Sequence, residues 1–260
     1  MNVTASPSSL TASGISEDEW QIRCDLAALY RLVAHFRMSD LIYTHMSARL
    51  PGPEHHFLIN HYGVMFHEMR ASDLVKIDMD GNIVDVDERR SRRVNAAGFC
   101  IHSAIHMSRP ELVCVIHTHT MAGIAVSAQK QGLLPISQHA LKFYGRLSYH
   151  GYEGIALDLD ERERLVSDLG QNKAMILRNH GLLVAGRTIP EAFDQIYYLE
   201  RACQAQIAAL TGGAELVFPP EEVALHTASQ FEREVSLEHY DMAWHAALRL
   251  IEDDRPDYRT

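Results

Sequence analysis

The sequence has few cysteines and no secretory signal, the two features typical of secreted or disulfide-stabilised chains. Only four of its 260 residues are cysteines, at positions 24, 100, 114 and 203, and no two of them form a C-x-x-C pair. This argues against a disulfide framework or a zinc ribbon. Met1 to Gly14 lack the basic and apolar regions of a secretory signal. We therefore expect a reduced, cytoplasmic protein.

Positive charge and long apolar runs are also scarce. The chain has 24 lysines and arginines against 34 acidic residues, for a formal net charge of −10. Its longest basic cluster, Arg89 to Arg93, is typical of a solvated loop, so a nucleic-acid partner is not expected. No window approaches the roughly 18 apolar residues of a membrane span, so a membrane partner is not expected either.

The apolar residues, 47% of the chain, are enough for one sizeable core. Periodicity divides the chain into a flexible tail (1–15), a main domain (16–212) and a C-terminal helical extension (213–260). A capping box at Ser16 predicts a helix that runs to about Phe36. Strands are predicted over 42–50, 57–60, 75–78, 83–85, 147–150, 174–177 and 182–185. Further helices are predicted over 96–107, 122–131 and 190–210, and residues 221–252 are predicted to be helical. This order predicts an α/β protein with helices around a mixed central sheet.

The most informative stretch is Cys114 to Thr120, which contains two histidines one residue apart. Its apolar, β-branched residues predict a buried strand, on which His117 and His119 point to the same side. Two neutral imidazoles side by side form half of a metal site. The alternative is that both are core histidines hydrogen-bonded to backbone carbonyls. In that case each buried ring would need its own set of hydrogen-bond partners, whereas a single cation would satisfy both rings.

Other histidines extend this pattern. His180 follows an apolar strand and precedes Gly181, and it is a candidate third ligand, although a loop histidine facing solvent is the simpler reading of that residue alone. His102 and His106 lie four apart on one predicted helix. The glutamate of the H-E-x-x-H zinc motif is absent there. We therefore expect a core or supporting role for His102 and a surface or interface role for His106.

Three blocks, in this order and spacing, resemble the class II aldolase/adducin family. They are His117-Thr118-His119, the segment Gly98 to Pro110, and Arg178-Asn179-His180-Gly181. The resemblance covers about residues 18–212 and is closer to adducin and its bacterial relatives than to the sugar-phosphate aldolases. It implies a three-layer α/β/α sandwich around a mainly antiparallel sheet. It also implies a divalent metal, usually Zn²⁺, on His117, His119 and His180, and a homotetramer with sites at subunit interfaces.

The sequence differs from the aldolases at the residues for two functions, acid/base catalysis and phosphate binding. The aldolase glutamate that serves as general acid/base corresponds to Gly98, and no acidic residue lies between Ser91 and Pro110. The aldolase donors to substrate phosphate correspond to Ala96, Ala97, His45 and the Tyr62-Gly63 turn. Hydroxyl and amide donors are thus replaced by methyl groups, an imidazole and a phenol. We therefore expect a non-phosphorylated substrate.

The leading prediction is a metal-dependent enzyme acting on a small carbonyl or hydroxy-acid substrate, as a C–C lyase, decarboxylase or isomerase. Its expected catalytic groups are His139 and Tyr62. The expected substrate-binding residues are His45, His61, Gly63, Ala97, Gly98 and Gln138. A packing or surface role is the alternative for each, and a neutral histidine near the metal can replace the missing glutamate.

Two other functions stay open. Relatives in aminocoumarin antibiotic biosynthesis suggest a non-haem oxygenase, with Fe²⁺ in place of zinc, because open sites made of imidazoles suit that metal. A non-catalytic, adducin-like interaction protein is the third possibility, since loss of the glutamate is expected in a protein that descends from an enzyme and has lost its activity.

Overall fold

One seven-stranded sheet organises the protein. A computed structural model describes residues 14–84, 93–154, 160–252 and 256–260, so most of the predicted tail lies outside the described residues. The strands are β1 (His45–Arg49), β2 (Phe57–Ile59), β3 (Val75–Ile77), β4 (Cys114–Thr118), β5 (Leu147–His150), β6 (Ala174–Leu177) and β7 (Gly181–Gly186). Their order is β3-β2-β1-β4-β7-β6-β5. Only β5 and β6 pair in parallel, so the sheet is mainly antiparallel, as predicted.

Helices cover both faces of the sheet. They are α1 (Glu17–His35), α2 (Ala96–Ser108), α3 (Met121–Ser127), α4 (Gln138–Leu141), α5 (Glu161–Leu169), α6 (Ile189–Leu210), α7 (Glu221–Glu234) and α8 (Leu237–Glu252). α2 and α5 enclose one apolar cluster with the sheet, which includes Ile105, Val115 and Leu165. α1, α6 and α8 enclose a larger one on the opposite face, which includes Leu29 and Ile116. The predicted three-layer α/β/α architecture is therefore confirmed.

The segment before β1 differs from the predicted strand over 42–50. β1 begins only at His45, because Leu41 and Thr44 have left-handed backbones, with φ of 50° and 66°. Arg37 is left-handed as well, with φ of 58°. Such conformations are uncommon for residues other than glycine and interrupt an extended strand. The result is a tight loop over residues 37–44 that carries Asp40 toward the end of β4.

Two other predicted elements are corrected, and a third is seen in more detail. The strand over 83–85 is reduced to a single bridge between Ile77 and Ile83, and Asp85 lies outside the described residues. α3 ends at Ser127 rather than near residue 131. The helical region predicted over 221–252 consists of two helices, because Val235 is extended and Ser236 starts a new helix by accepting a hydrogen bond from the backbone N–H of Tyr240.

The C-terminal extension shares the main core. Trp244, Leu248 and Ile251 of α8 are buried in the larger apolar cluster with residues of α1 and α6. The rings of Trp244 and Phe193 lie 5.7 Å apart in an edge-to-face arrangement. The described part of the chain contains no helix with the length and apolar character that a membrane crossing requires.

Candidate metal centre

The fold brings His117, His119 and His180 together, as predicted. Their potential ligand atoms all lie within 4.8 Å of one another. His117 is in β4 and His119 follows it, whereas His180 lies in the turn between β6 and β7. Thr118 of β4 pairs with Leu182 of β7, which places the start of β7 beside the end of β4.

Gly181 makes this close approach feasible. A Cβ atom at that position would lie 2.3 Å from the carbonyl oxygen of Thr118, so a side chain would push the two strands apart. The preceding Asn179 has a left-handed φ of 55°, which asparagine tolerates better than most residues. The Asn-His-Gly sequence thus turns the chain tightly enough to deliver His180 to the end of β4.

The hydrogen bonds of the first two histidines fix where their protons lie. Nδ1 of His117 is 2.9 Å from the carbonyl oxygen of Leu182, and Nδ1 of His119 is 3.0 Å from Oδ2 of Asp40. Because both partners only accept hydrogen bonds, both Nδ1 atoms carry a proton. The two Nε2 atoms lie 2.9 Å apart, so in the neutral form that binds a metal their lone pairs would face each other. This repulsive contact becomes favourable when a cation lies between them.

The electrostatics of the site also suit a cation. Burial, with the neighbouring imidazoles, lowers the pKa of His117 well below its usual value and that of His180 to about 4. These rings are therefore neutral near pH 7, the form in which imidazole binds a metal. Three such donors fit zinc with an open position for water or substrate, and they also fit Fe²⁺.

Two acidic residues that the sequence analysis did not identify support the ligands. Asp40 accepts from His119, as above, and completes a carboxylate–histidine pair of the kind that orients metal ligands. Glu200 on α6 is buried and accepts a short hydrogen bond from the hydroxyl of Thr120. The same hydroxyl accepts from the backbone N–H of Gly123 and caps α3. Glu200 thereby anchors the turn that follows His119.

His45 occupies the space beside Gly98, the position that the family resemblance would align with the aldolase glutamate. A Cβ atom at Gly98 would lie 2.6 Å from Cδ2 and 2.8 Å from Cγ of His45. A side chain at position 98 and the observed His45 ring therefore exclude each other. The ring is buried, its centroid lies 5.1 Å from that of His117, and Nδ1 is 2.7 Å from Nε2 of His102.

The helix histidines behave differently from one another. His102 is buried against His45, in agreement with the predicted supporting role. The predicted surface or interface role of His106 is wrong, because its side chain is fully buried and Nε2 lies 2.7 Å from Oγ of Ser47. The hydroxyl of Ser47, which can both donate and accept, lets the interior accommodate that ring.

The predicted residues of the anion-binding segment lie in the loop after β2 and at the start of α2. His61 and Tyr62 are partly buried, and the Tyr62 ring lies 6.3 Å from that of Tyr43. Gly63 has a left-handed φ of 108° with open space in the Cβ direction. Ala97 lies in the first turn of α2, but its side chain, like Arg92, is outside the described residues.

Gln138 and His139 lie on α4 and are exposed. The His139 ring contacts Tyr198 of α6, with centroids 4.9 Å apart. Within one chain, the described hydrogen bonds and ring contacts do not join His139 to the three ligands. Catalysis by His139 and substrate binding by Gln138 therefore stay predictions.

Comparison with known proteins agrees with this geometry. Residues 24–207 match the family model of the class II aldolase and adducin N-terminal domain. A solved structure of an aldolase II superfamily protein from Pseudomonas syringae is 54% identical, with a TM-score of 0.89 over 95% of this chain and 98% of that one. Another, of an L-fuculose 1-phosphate aldolase from Glaciozyma antarctica, is 30% identical, with a TM-score of 0.82 over 98% and 97%.

The similarity extends to adducin. Rat alpha-adducin is 46% identical over 190 residues, which is 73% of this chain but 26% of adducin's own length. The family match, these identities and the shared fold lead to one conclusion. The chain belongs to the class II aldolase and adducin family.

Proposed function

We propose that the protein is a metal-dependent enzyme acting on a small, non-phosphorylated carbonyl or hydroxy-acid substrate. The expected reaction is cleavage of a C–C bond or a related decarboxylation or isomerisation. One observation carries the metal part of this proposal: the Nε2 atoms of His117 and His119 face each other at 2.9 Å, while each ring uses its Nδ1 for another hydrogen bond. A divalent cation held there with His180 would polarise a substrate carbonyl and stabilise the negative charge that develops on it.

His45 is the residue we assign to proton transfer. It lies against Gly98, where the aldolases carry their glutamate, and its ring is next to His117. Within the described residues, Nε2 of His45 has no hydrogen-bond partner, whereas Nδ1 contacts His102. Nε2 is therefore free to accept a proton from a substrate and to return it. His45 thus supplies the acid/base group that Gly98 cannot.

The substrate class follows from the side chains at the start of α2. A phosphate dianion needs several hydrogen bonds or paired cations to offset its lost hydration. Ala96 and Ala97 contribute no hydroxyl, and Arg93 is exposed. A carboxylate carries less charge and needs fewer donors. We therefore favour hydroxy- and keto-acids over sugar phosphates, although the relative from Glaciozyma antarctica is described as a sugar-phosphate aldolase.

Self-association is part of the proposal. Three exposed apolar side chains lie near residues of the centre, either in sequence or in space. Leu41 follows Asp40, Met121 begins α3, and the ring of Tyr152 lies 6.4 Å from that of His180. A second copy covering these side chains would enclose the centre, as in the tetramer that the family resemblance implies. His139, exposed on α4, would then be available to a neighbour's site.

Metal content provides the first test. The protein, purified anaerobically without added metal, is expected to contain about one zinc per chain. His119→Ala is expected to lose the metal and keep its fold by circular dichroism. His226→Ala, at an exposed histidine on α7, is the matched control and should keep the metal. Iron together with oxygen uptake would support the oxygenase instead.

Ligand binding provides the second test. Thermal shift of the zinc-loaded protein should respond to hydroxy- and keto-acids and not to fuculose 1-phosphate or ribulose 5-phosphate. Micromolar binding of a sugar phosphate that is abolished by Ala97→Asp would overturn the substrate assignment.

A second candidate is a non-catalytic interaction protein, which the similarity to alpha-adducin favours. Purified wild-type protein with no bound metal and no affinity for added zinc would support that function and contradict the enzyme.

A further inference from the structure

A cleft with a volume of about 410 Å³ separates part of the main domain from the C-terminal extension. Small-molecule sites usually measure about 300–1,000 Å³. Among the described residues, its lining includes none of the three metal ligands and none of the predicted substrate-binding residues. The main domain contributes Lys173, which precedes β6, and Arg187, which follows β7. The extension contributes residues of α7, α8 and the link between them. We call this space the extension cleft.

Two cations in the extension cleft share one carboxylate, that of Glu191. Oε1 of Glu191 accepts from Nζ of Lys173 at 2.7 Å and from Nη2 of Arg187 at 3.2 Å. Oε2 accepts from the backbone N–H and from Nε of Arg187, at 2.7 and 3.0 Å. An ionised carboxylate accepts about four hydrogen bonds, so this one has no capacity left for a further donor.

Glu191 holds both cations in place but neutralises only one of them. Its side chain is buried in the first turn of α6. Burial acts to raise the pKa of Glu191, but the hydrogen bonds from Arg187 and Lys173 outweigh burial and leave that pKa below its usual value. The carboxylate is therefore ionised near pH 7. One negative charge against two positive ones leaves an excess of one positive charge on this side of the cleft.

The other charged residues of the extension cleft cancel in pairs. Lys142 is buried and contacts the carboxylate of Asp194. Arg146 forms an ion pair with Glu232, and both side chains are exposed to solvent. Within the part of the chain that the structure describes, the lining contains no acidic side chain besides those of Glu191 and Glu232. The excess positive charge is therefore not offset by another residue of the lining.

Donors of Lys173 and Arg187 remain available to a ligand. In the described ranges, Nζ of Lys173 uses one of its three hydrogens, and Nη1 of Arg187 uses neither of its two. The two side chains are 33% and 47% exposed, so a molecule in the cleft can reach them. A carboxylate between these groups would receive charge-assisted hydrogen bonds from both.

The extension adds an apolar surface to the cleft. Its lining residues include Phe231 of α7, Val235 of the link and Tyr240 of α8. The rings of Phe231 and Tyr240 converge on Lys142, with centroids 5.9 and 5.8 Å from its Nζ. The cleft thus combines a cationic part with an aromatic part, which is the arrangement that an acid with an apolar body requires.

We propose that the extension cleft is a second ligand site, which binds a small monocarboxylate with an aromatic or apolar body. The carboxylate accepts hydrogen bonds from Lys173 and Arg187 and neutralises the excess charge. The body packs against Phe231 and Tyr240. A dianion would bring more negative charge than the cleft has to offset, and a neutral molecule would leave the positive charge unmatched. Because the bound acid contacts both the main domain and the extension, it fastens α7 and α8 to the rest of the chain.

Calorimetric titration with benzoate at pH 7 tests this proposal. The full-length protein is first treated with a chelator, so that no metal at the candidate centre can bind the acid. Benzoate is expected to bind saturably, with a dissociation constant below about 1 mM. Benzamide, which has nearly the same shape but no charge, should bind at least about tenfold more weakly. Benzoate should also slow the hydrogen exchange of backbone amides over residues 231–240, because it ties this segment to the main domain.

Variants of the chain locate the site. Lys173→Met removes one cation and leaves Glu191 bonded to Arg187, so the fold should persist while benzoate binding weakens by about tenfold. Lys130→Met is the matched control, because this lysine is exposed after α3 and does not line the cleft; it should bind benzoate as the wild type does. His119→Ala, which is expected to lose the metal, should also bind benzoate with unchanged affinity.

Several results would overturn the inference. They are the absence of saturable benzoate binding, equal affinity for benzamide, or equal effects of the two lysine substitutions. Binding that requires zinc would place benzoate at the metal centre, which would overturn the second site and support the proposed function. If Lys173→Met does not fold, the comparison with benzamide and the exchange over residues 231–240 in the wild type decide. Failure of the wild type to bind zinc would contradict the proposed function and leave the extension cleft unaffected.

Discussion

Replacing Asp40 tests whether the carboxylate beside His119 tunes the metal centre. Oδ2 of Asp40 accepts from Nδ1 of His119 at 3.0 Å, and the Asp40 side chain is 42% exposed. Removing such a partner weakens metal binding by about 10- to 100-fold, or about 1.4 to 2.7 kcal/mol. Because solvent screens a half-exposed carboxylate, we expect the lower end, about tenfold weaker zinc binding for Asp40→Ala. Asp40→Asn keeps an acceptor oxygen and should lose less.

Competition of the protein with a chelating dye measures the zinc dissociation constant of each variant. The matched control is Asp241→Ala, which removes an exposed carboxylate from α8 and should leave zinc affinity unchanged. Circular dichroism must show the same helix content in all variants. Equal zinc affinity in Asp40→Ala and the wild type would refute the reasoning, as would an equal loss in Asp241→Ala.

Three further changes probe packing, protonation and assembly. Gly98→Ala brings a methyl group within 2.6 Å of the His45 ring and should lower the free energy of unfolding in urea by about 1–3 kcal/mol; Gly151→Ala, which meets open space, should change it by less than about 1 kcal/mol in either direction. Burial lowers the pKa of His106 from 6.5 to about 3, so the unfolded chain takes up its proton first as pH falls. The free energy of unfolding should therefore decrease by about 2 kcal/mol between pH 6.5 and two pH units lower. An unfolding free energy in urea that does not change over this pH range would contradict the prediction. Met121→Glu places a charge on a side chain that is 83% exposed beside the centre. The mass measured by light scattering should then decrease from that of an oligomer to the 29.3 kDa of one chain. A wild-type protein that already has that mass would contradict self-association.

Short-range periodicity accounts for much of what the sequence predicted correctly. The two-residue period of β4 put His117 and His119 on one side, and the four-residue spacing on α2 put His102 and His106 on another. The three blocks of the family resemblance then supplied His180, which no local pattern could join to the pair. The two predictions from periodicity, on β4 and α2, depend on regular elements whose geometry does not vary with the rest of the chain.

What the sequence could not predict depends on distant contacts. Asp40 lies 79 residues from His119, and it reaches that ring only through the left-handed loop, where no glycine or asparagine indicated a turn. His106 looked like a surface residue because its partner, Ser47, is 59 residues away on another element. No periodicity encodes which helix covers which strand, so the burial of these polar groups became visible only in the folded chain.

The position of α8 has a consequence for truncation. The family match ends at residue 207, yet α8 lies against α1 and α6, and Trp244 covers the Phe193 ring. A fragment cut at the family boundary would expose this apolar face to water and be prone to aggregate. Any relative that shares only the matched domain must shield the corresponding face with a different segment or with another subunit. The boundary found by sequence comparison is therefore not the boundary of the folding unit.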